Sequence, residues 1–166
     1  MNSNNHITVD QIKNDAEVIK KELVEWRHYL HAHPELSFKE ERTTHYIVNK
    51  LKNFGYTDIQ IGFGPLKTGV MVEIGSGRPC VMLRADIDAL PIQEQTGVEF
   101  CSQSKGVSHA CGHDAHITNL LGVANLLKKY ENSIKGRVKL LFQPAEETRV
   151  KIYEKPLSGA GYVCLL

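Results

Sequence analysis

Apolar residues near the start of the chain recur at the spacing of an α-helix. From Ile12 to Leu30 they fall three or four positions apart, which keeps them on one helical face. Asp10 stands before this pattern as a candidate N-cap, and Pro34 stands after it as a candidate stop. The pattern therefore predicts one amphipathic helix in this region.

A second helical pattern follows in residues 37–55. Ser37 and Glu40 have the spacing of a capping box, in which each side chain accepts a hydrogen bond from the other residue's backbone N–H. Gly55 follows the last apolar position, and glycine often ends a helix because it adopts left-handed backbone angles. We expect a second helix between these signals.

The period of the pattern then shortens to that of β-strands. The segments DIQIG, GVMVEIG and PCVMLRAD are short, rich in β-branched or apolar residues and bounded by Gly or Pro. PCVMLRAD is nearly continuous in apolar residues, as is typical of a strand buried on both faces. HITNLLGVANLLKKY returns to helical spacing, and GRVKLLFQP again has the pattern of a strand. A strand, a helix and a strand in succession predict an α/β fold, with a largely parallel or mixed sheet flanked by helices.

Composition and charge exclude several classes of partner. A chain of 166 residues is long enough for one domain, and its 42% hydrophobic and 23% charged residues are ordinary for a globular protein. The net charge of +1 provides no field that would attract nucleic acid or an anionic membrane. No apolar run approaches the roughly 18 residues of a membrane span, and the N-terminus lacks the features of a signal peptide. We therefore expect a cytoplasmic protein with neither nucleic acid nor membrane as a partner.

The four cysteines do not form C-x-x-C pairs. Without an export signal, a disulfide framework is not expected. Cys80, Cys101 and Cys164 are interpreted as small buried apolar residues. Cys111 differs because it lies in the segment SHACGHDAH, which places three histidines and an aspartate within a few positions of it.

Three polar clusters are expected at one edge of the sheet. The segment RADID ends one predicted strand, QPAEE ends another, and HACGHD precedes a predicted helix. In open α/β sheets, ligands bind beyond the carboxyl ends of the strands. The clusters should therefore meet at a binding or catalytic site.

The residue types in these clusters are typical of a hydrolytic metal site. Cys111 and His113 form a C-x-H pair suited to a borderline-soft divalent ion. Glu146 and Glu147 are adjacent, so one can bind an ion while the other faces a water molecule and transfers its proton.

Asp86 and Asp88 are candidate hydrogen-bond partners for imidazole ligands. Each feature also has an ordinary explanation if it is taken alone. Paired glutamates are often a solvated surface, and aspartates at a strand end often cap loop amides. Two other site types stay open on the residues: a non-catalytic metal-binding or structural zinc module, and a hydrolase with Cys111 as nucleophile.

Four segments in order resemble one family: RHYLHAHPELSFKEERTTHYI, VMLRADIDALPIQEQTGVEF, HACGHDAH and LLFQPAEE. Between Trp26 and Glu147 the chain resembles the M20 metallopeptidases. The branch it resembles contains N-acyl-amino-acid amidohydrolases, hippurate hydrolases and auxin-conjugate hydrolases. The resemblance implies a zinc-exopeptidase-like catalytic domain that removes an acyl group from a small N-acyl amino acid, or a related carboxypeptidase-type reaction. It also implies two divalent ions, which in the family are zinc, manganese, nickel or cobalt.

The resemblance assigns roles to particular positions. Cys111 resembles the shared thiolate ligand, and His113 and Glu147 resemble further metal ligands. Glu146 resembles the general base that activates water. Asp86 resembles the aspartate that orients a ligand.

The family members are more than twice as long as this chain. They have further His ligands after the glutamate pair and an inserted dimerisation domain, so the full-length proteins are expected to be homodimers. This chain has no histidine after His116. We therefore expect residues 1–166 to be the N-terminal portion of a catalytic domain, without the inserted domain and the C-terminal part. Such a truncated site is expected to bind one ion weakly and to be inactive alone.

Overall fold

The computed structural model describes residues 7–63, 65–148 and 158–163. Its helices and strands are α1 (Val9–Val18), α2 (Lys20–Ala32), α3 (Glu41–Phe54), β1 (Ile59–Phe63), β2 (Leu66–Ser76), β3 (Cys80–Asp86), α4 (His113–Lys129), β4 (Gly136–Gln143) and α5 (Gly159–Val163). Among these described helices, none combines the length and the apolar character needed to cross a membrane.

The predicted first helix is two helices. Helix α1 ends at Val18, and α2 then runs on to stop two residues before Pro34. The N-cap of α1 is Thr8, so the prediction of Asp10 as the N-cap is wrong. The Thr8 hydroxyl accepts a hydrogen bond from the Gln11 N–H, and the Gln11 side chain accepts one from the Thr8 N–H. Asp10 lies inside the first helical turn, where its charge faces the positive end of the helix dipole.

The predicted capping box at the start of α3 is also wrong, although the helix exists. Its N-cap is Glu40, which makes no side-chain capping hydrogen bond. The Ser37 hydroxyl instead donates to Asp88 over 2.6 Å, and the Glu40 carboxylate has partners elsewhere in the fold. Ser37 and Glu40 therefore bond with residues distant in the chain and not with each other. Gly55 ends α3 as predicted, with a φ of 97°.

The sheet is mixed, and its strands lie in the order β1-β2-β4-β3. Strands β1 and β2 are antiparallel, as are β2 and β4, whereas β3 and β4 are parallel. Helix α4 connects the two parallel strands. The predicted α/β class, with helices flanking a mixed sheet, is confirmed.

The hydrophobic core lies between the sheet and helices α2, α3 and α4. Alternate residues of β2 and β4 face these helices, because successive side chains of a strand point to opposite faces. The fully or nearly fully buried members include Trp26, Leu30, Ile47, Leu51, Val70, Val72, Ile117, Leu121, Leu140 and Phe142. On the opposite face, Glu73 forms an ion pair with Lys139 over 2.7 Å.

Strand β3 is less buried than its apolar sequence predicted. Val81 and Met82 are half exposed, and burial begins only at Ala85. Within the described ranges β3 pairs with β4 alone and forms an edge of the sheet. The prediction of a strand buried on both faces is therefore wrong, because an apolar run does not reveal which strand lies at an edge.

The cysteine interpretation is wrong at two positions. Cys80 and Cys101 are exposed, whereas small buried apolar residues were expected there. Cys164 lies outside the described residues. Cys111 is also exposed, and it lies beyond the carboxyl ends of β3 and β4.

Candidate metal centre

The three polar clusters meet at one edge of the sheet. Strands β3 and β4 run parallel, with Asp86 opposite Gln143 in the last pair, so the segments that follow them leave the sheet side by side. Helix α4 begins at His113 beside the same edge. The convergence follows from the parallel pairing, because the carboxyl ends of parallel strands lie together.

Three donor atoms come together here. The Cys111 sulfur, a ring nitrogen of His113 and a carboxylate oxygen of Glu147 lie within 4.8 Å of one another. His113 Nε2 lies 3.9 Å from Glu147 Oε1. A hydrogen bond to Glu147, burial and nearby negative charge together raise the pKa of the Cys111 thiol. A bound cation would reverse this effect, because it favours the thiolate.

The donor set fits a borderline-soft divalent metal ion. Glu147 Oε1 is buried and has no hydrogen-bond partner in the described part of the chain. An unpartnered buried carboxylate oxygen is costly unless a cation or proton compensates it. Thiolate, imidazole and carboxylate are the ligand types that zinc and its neighbours accept. The geometry therefore accommodates the kind of ion that the residue types indicate.

Asp88 fixes the orientation of the His113 ring. His113 Nδ1 lies 2.8 Å from the Asp88 carbonyl oxygen and 3.3 Å from Asp88 Oδ1. Burial lowers the pKa of His113, but the contacts with Asp88 outweigh it and raise the pKa above its ordinary value. An Nδ1–H that donates to Asp88 leaves Nε2 free to bind an ion.

Asp88 also holds the backbone of the carboxylate donor. Its Oδ2 accepts hydrogen bonds from the Ser37 hydroxyl over 2.6 Å and from the Glu147 N–H over 3.0 Å. Burial raises the pKa of this carboxyl, but the hydrogen bonds from His113, Ser37 and Glu147 lower it overall. Asp88 thus links the imidazole donor to the turn that presents the carboxylate donor.

Asp86 has different neighbours. Its Oδ2 accepts a hydrogen bond from Arg84, and its buried Oδ1 has no partner within the described ranges. Asp86, His113 and His116 form a second group of possible donors whose atoms lie within 4.8 Å of one another. Of the two aspartates predicted as partners for imidazoles, Asp88 makes the contact with the His113 ring.

The two adjacent glutamates differ in exposure. Glu146 is exposed, whereas Glu147 is partly buried. The preceding Ala145 has a φ of 52°, a left-handed conformation that is uncommon for a residue with a side chain. The negative charge of Glu146 contributes to raising the pKa of the Cys111 thiol.

A network of charged residues anchors the start of α4 and was not anticipated from the sequence. Asp114 is buried beside His113 and accepts a hydrogen bond from Arg27 Nε over 3.0 Å. His31 lies 2.7 Å from Asp114 and 3.0 Å from Glu94. Arg27 and His31 are four residues apart and therefore share one face of α2, a spacing that could have revealed the pair.

A cavity of about 590 Å³ lies near this centre. Its lining includes Ala89 and Thr148, which directly follow Asp88 and Glu147 in the chain. The other lining residues come from the connection between α2 and α3, from the start of α3, from the start of β2 and from Pro91. Apolar side chains such as Leu36 and Phe38 contribute to its wall, so the cavity can accept an apolar group.

This chain is similar in sequence to proteins of one known family. The model of peptidase family M20/M25/M40 matches residues 82–164, which are 83 of the 166 residues. The chain is 43% identical over 143 residues to an N-acyl-L-amino acid amidohydrolase of Geobacillus stearothermophilus. It is 52% identical over 131 residues to an N-acetyl-L-cysteine deacetylase of Bacillus subtilis.

A solved structure is similar as well. A Bacillus subtilis protein described as a dinuclear metal-binding peptidase of family M20 superposes with a TM-score of 0.72 at 46% identity. The match covers 79% of this chain and 37% of that one. The curated relatives are likewise longer: the match spans 38% of the amidohydrolase and 31% of the deacetylase, and 85% and 78% of this chain.

Proposed function

Because this chain belongs to peptidase family M20/M25/M40, we propose that it forms the N-terminal part of the catalytic domain of a metal-dependent amidohydrolase. The substrates we propose are small N-acyl amino acids, from which the complete enzyme removes the acyl group. The names of the Geobacillus and Bacillus relatives support this substrate class. The observation that carries the proposal is the group of Cys111, His113 and Glu147 at the carboxyl edge of the sheet.

We propose that Cys111, His113 and Glu147 hold a divalent ion. When bound, such an ion would polarise the scissile carbonyl and lower the pKa of a water molecule to about 7. The Cys/His/Glu set suits zinc, manganese, nickel or cobalt. The relative described as dinuclear supports two ions in the complete site, and Asp86 and His116 are donors near His113.

The remaining residues of the centre hold groups in place or move protons. Asp88 keeps His113 in the tautomer that presents Nε2. Glu146 is the general base: its exposed carboxylate accepts a proton from the attacking water and passes it to the departing amine nitrogen. The neighbouring cavity offers an apolar surface to the acyl group.

Cysteine nucleophile chemistry is less compatible with this geometry. A nucleophilic cysteine needs a nearby cation or imidazole base that stabilises its thiolate. His113 lies near Cys111 but is held by Asp88, and the neighbouring Glu147 carboxylate raises the pKa of the Cys111 thiol. If Cys111 and Glu147 both bind a metal ion, the positive charge of the ion favours the thiolate beside the carboxylate.

The function is tested by complementation. The chain is assayed with N-acetyl- and N-benzoyl-amino acids and excess Zn²⁺ or Mn²⁺, alone and with the unmatched region of the Geobacillus relative supplied as a second polypeptide. We expect little turnover by the chain alone, because three donors hold an ion less firmly than a complete site does. Turnover should appear in the mixture.

The matched variants are Glu146→Gln and Glu22→Gln, the second of which changes an exposed glutamate of α2. Loss of the recovered activity in the first variant alone would support the role of Glu146. Turnover that survives Glu146→Gln would refute that role, and turnover that survives Cys111→Ser would refute the metal centre.

A further inference from the structure

One buried carboxylate contacts the turn after β4 and has no part in the chemistry described so far. Glu40 is fully buried just before α3. Its Oε1 accepts a hydrogen bond from the Ala145 N–H over 2.9 Å, and its Oε2 accepts one from the Thr68 hydroxyl over 2.8 Å. Glu40 therefore joins the start of β2 to the turn that follows β4.

The turn that receives this hydrogen bond presents both glutamates of the site. Ala145 directly precedes Glu146 and Glu147 and has left-handed backbone angles, with a φ of 52°. A residue with a Cβ adopts these angles at a cost, so surrounding contacts must hold it there. The buried bond from its N–H to Glu40 is such a contact.

The backbone beside Thr68 packs directly against the same turn. The Gly69 N–H donates to the Thr44 hydroxyl over 3.0 Å. A Cβ built at Gly69 would lie 2.5 Å from the Pro144 side chain, so only glycine permits this approach. The turn is thus held at Pro144 by packing and at Ala145 by the Glu40 carboxylate.

We propose that Glu40 is a positioning residue of the metal centre. By holding Ala145 in its left-handed conformation, it directs the Glu147 carboxylate towards Cys111 and His113 and leaves Glu146 exposed. This inference rests on the proposed function, because it assigns Glu40 a role only if Glu147 binds an ion.

The chemistry of the two hydrogen bonds predicts which replacements are tolerated. Glutamine can accept from the Ala145 N–H with its oxygen and donate to the Thr68 hydroxyl with its nitrogen, because a hydroxyl can serve as donor or acceptor. Alanine can do neither. Glu22 is an exposed glutamate of α2 outside the lining of the cavity, and it provides a control.

The test measures the affinity of the full 166-residue chain for Co²⁺ by calorimetry and by the thiolate-to-cobalt charge-transfer absorption. Loss of a group that supports a metal ligand typically lowers affinity by about 10- to 100-fold. We expect a decrease of that size in Glu40→Ala, with the charge-transfer absorption retained at saturating cobalt because Cys111 still binds. Glu40→Gln should stay near the wild-type affinity, and Glu22→Ala should match the wild type.

A double-mutant cycle with Glu147→Ala separates positioning from general destabilisation. If Glu40 acts through Glu147, Glu40→Ala causes no further loss of affinity in the Glu147→Ala background. The proposal would be overturned if the two substitutions lowered the affinity for Co²⁺ additively. It would also be overturned if Glu147→Ala lowered the affinity while Glu40→Ala left it unchanged. An unchanged affinity in Glu147→Ala would instead refute the metal centre, and both inferences with it.

A milder variant covers the case in which Glu40→Ala does not fold. Thr68→Val keeps the shape of the side chain but removes one of the two donors to Glu40. It should lower the Co²⁺ affinity in the same non-additive way, by less than Glu40→Ala. The Glu40→Ala chain could be unfolded while the Thr68→Val chain is folded and binds Co²⁺ as tightly as the wild type. That result would mean that Glu40 stabilises the fold and does not position the metal ligands.

Discussion

Replacement of Asp88 should affect both the stability of the fold and the affinity of the metal centre. Asp88→Ala removes the acceptor for the Ser37 hydroxyl and the Glu147 N–H, which lie 2.6 and 3.0 Å away. A hydrogen bond to a charged group contributes about 1.5–3 kcal/mol. Because Ser37 and Glu147 are partly exposed and water can replace some of each bond, we expect the free energy of unfolding to fall by about 3 kcal/mol.

The asparagine variant separates the two effects. In Asp88→Asn, an amide oxygen in the position of Oδ2 can still accept from both the Glu147 N–H and the Ser37 hydroxyl. We expect the free energy of unfolding to fall by only about 1 kcal/mol, the size of one neutral hydrogen bond. The negative charge beside His113 is lost, however, so the affinity for Co²⁺ should still fall by about tenfold.

The measurements are urea unfolding of the metal-free chain and calorimetric titration with Co²⁺. Asp58→Asn is the control, because Asp58 is exposed before β1. The reasoning about His113 is refuted if Asp88→Asn binds Co²⁺ as tightly as the wild type does. The reasoning about the two hydrogen bonds is refuted if Asp88→Ala unfolds at the wild-type urea concentration.

Two further predictions concern the surroundings of the site. Burial raises the pKa of Glu94, but hydrogen bonds from Thr96, the Ser102 N–H and His31 lower it overall, to about 2. The ionised Glu94 therefore stabilises the folded chain above its ordinary pKa of 4.5, and this stabilisation is lost as the pH falls towards 2. The difference in free energy of unfolding between the wild type and Glu94→Gln should therefore shrink between pH 4.5 and pH 2; a difference independent of pH would contradict this. Gly69→Ala should lower the free energy of unfolding by at least about 2 kcal/mol, because its Cβ would overlap Pro144 and the backbone has a φ of 89°. Urea unfolding measures this loss. Gly97→Ala is the control, because Gly97 also has a positive φ but a Cβ there would meet no atom within 4 Å. The difference between the two variants separates the steric overlap from the backbone strain.

Local spacing along the chain was sufficient to predict most of the helices and strands and to indicate the candidate donors. Helical and strand periods depend on residues a few positions apart, so α3, α4 and the apolar strands could be recognised without the fold. Gly55 ended a helix as predicted because its left-handed angles are a local property. The convergence of Cys111, His113 and Glu147 followed from one further rule, that parallel strands end at the same edge.

Only the tertiary structure decided what the buried polar residues contact. Ser37 and Glu40 have the spacing of a capping box, yet a buried carboxylate gains more from the Ala145 N–H and the Thr68 hydroxyl than from a solvated helix end. Asp86 and Asp88 are equivalent in sequence pattern, but the chain direction after β3 places Asp88 against His113. Such pairings join residues between 25 and 105 positions apart, and no local period contains that information.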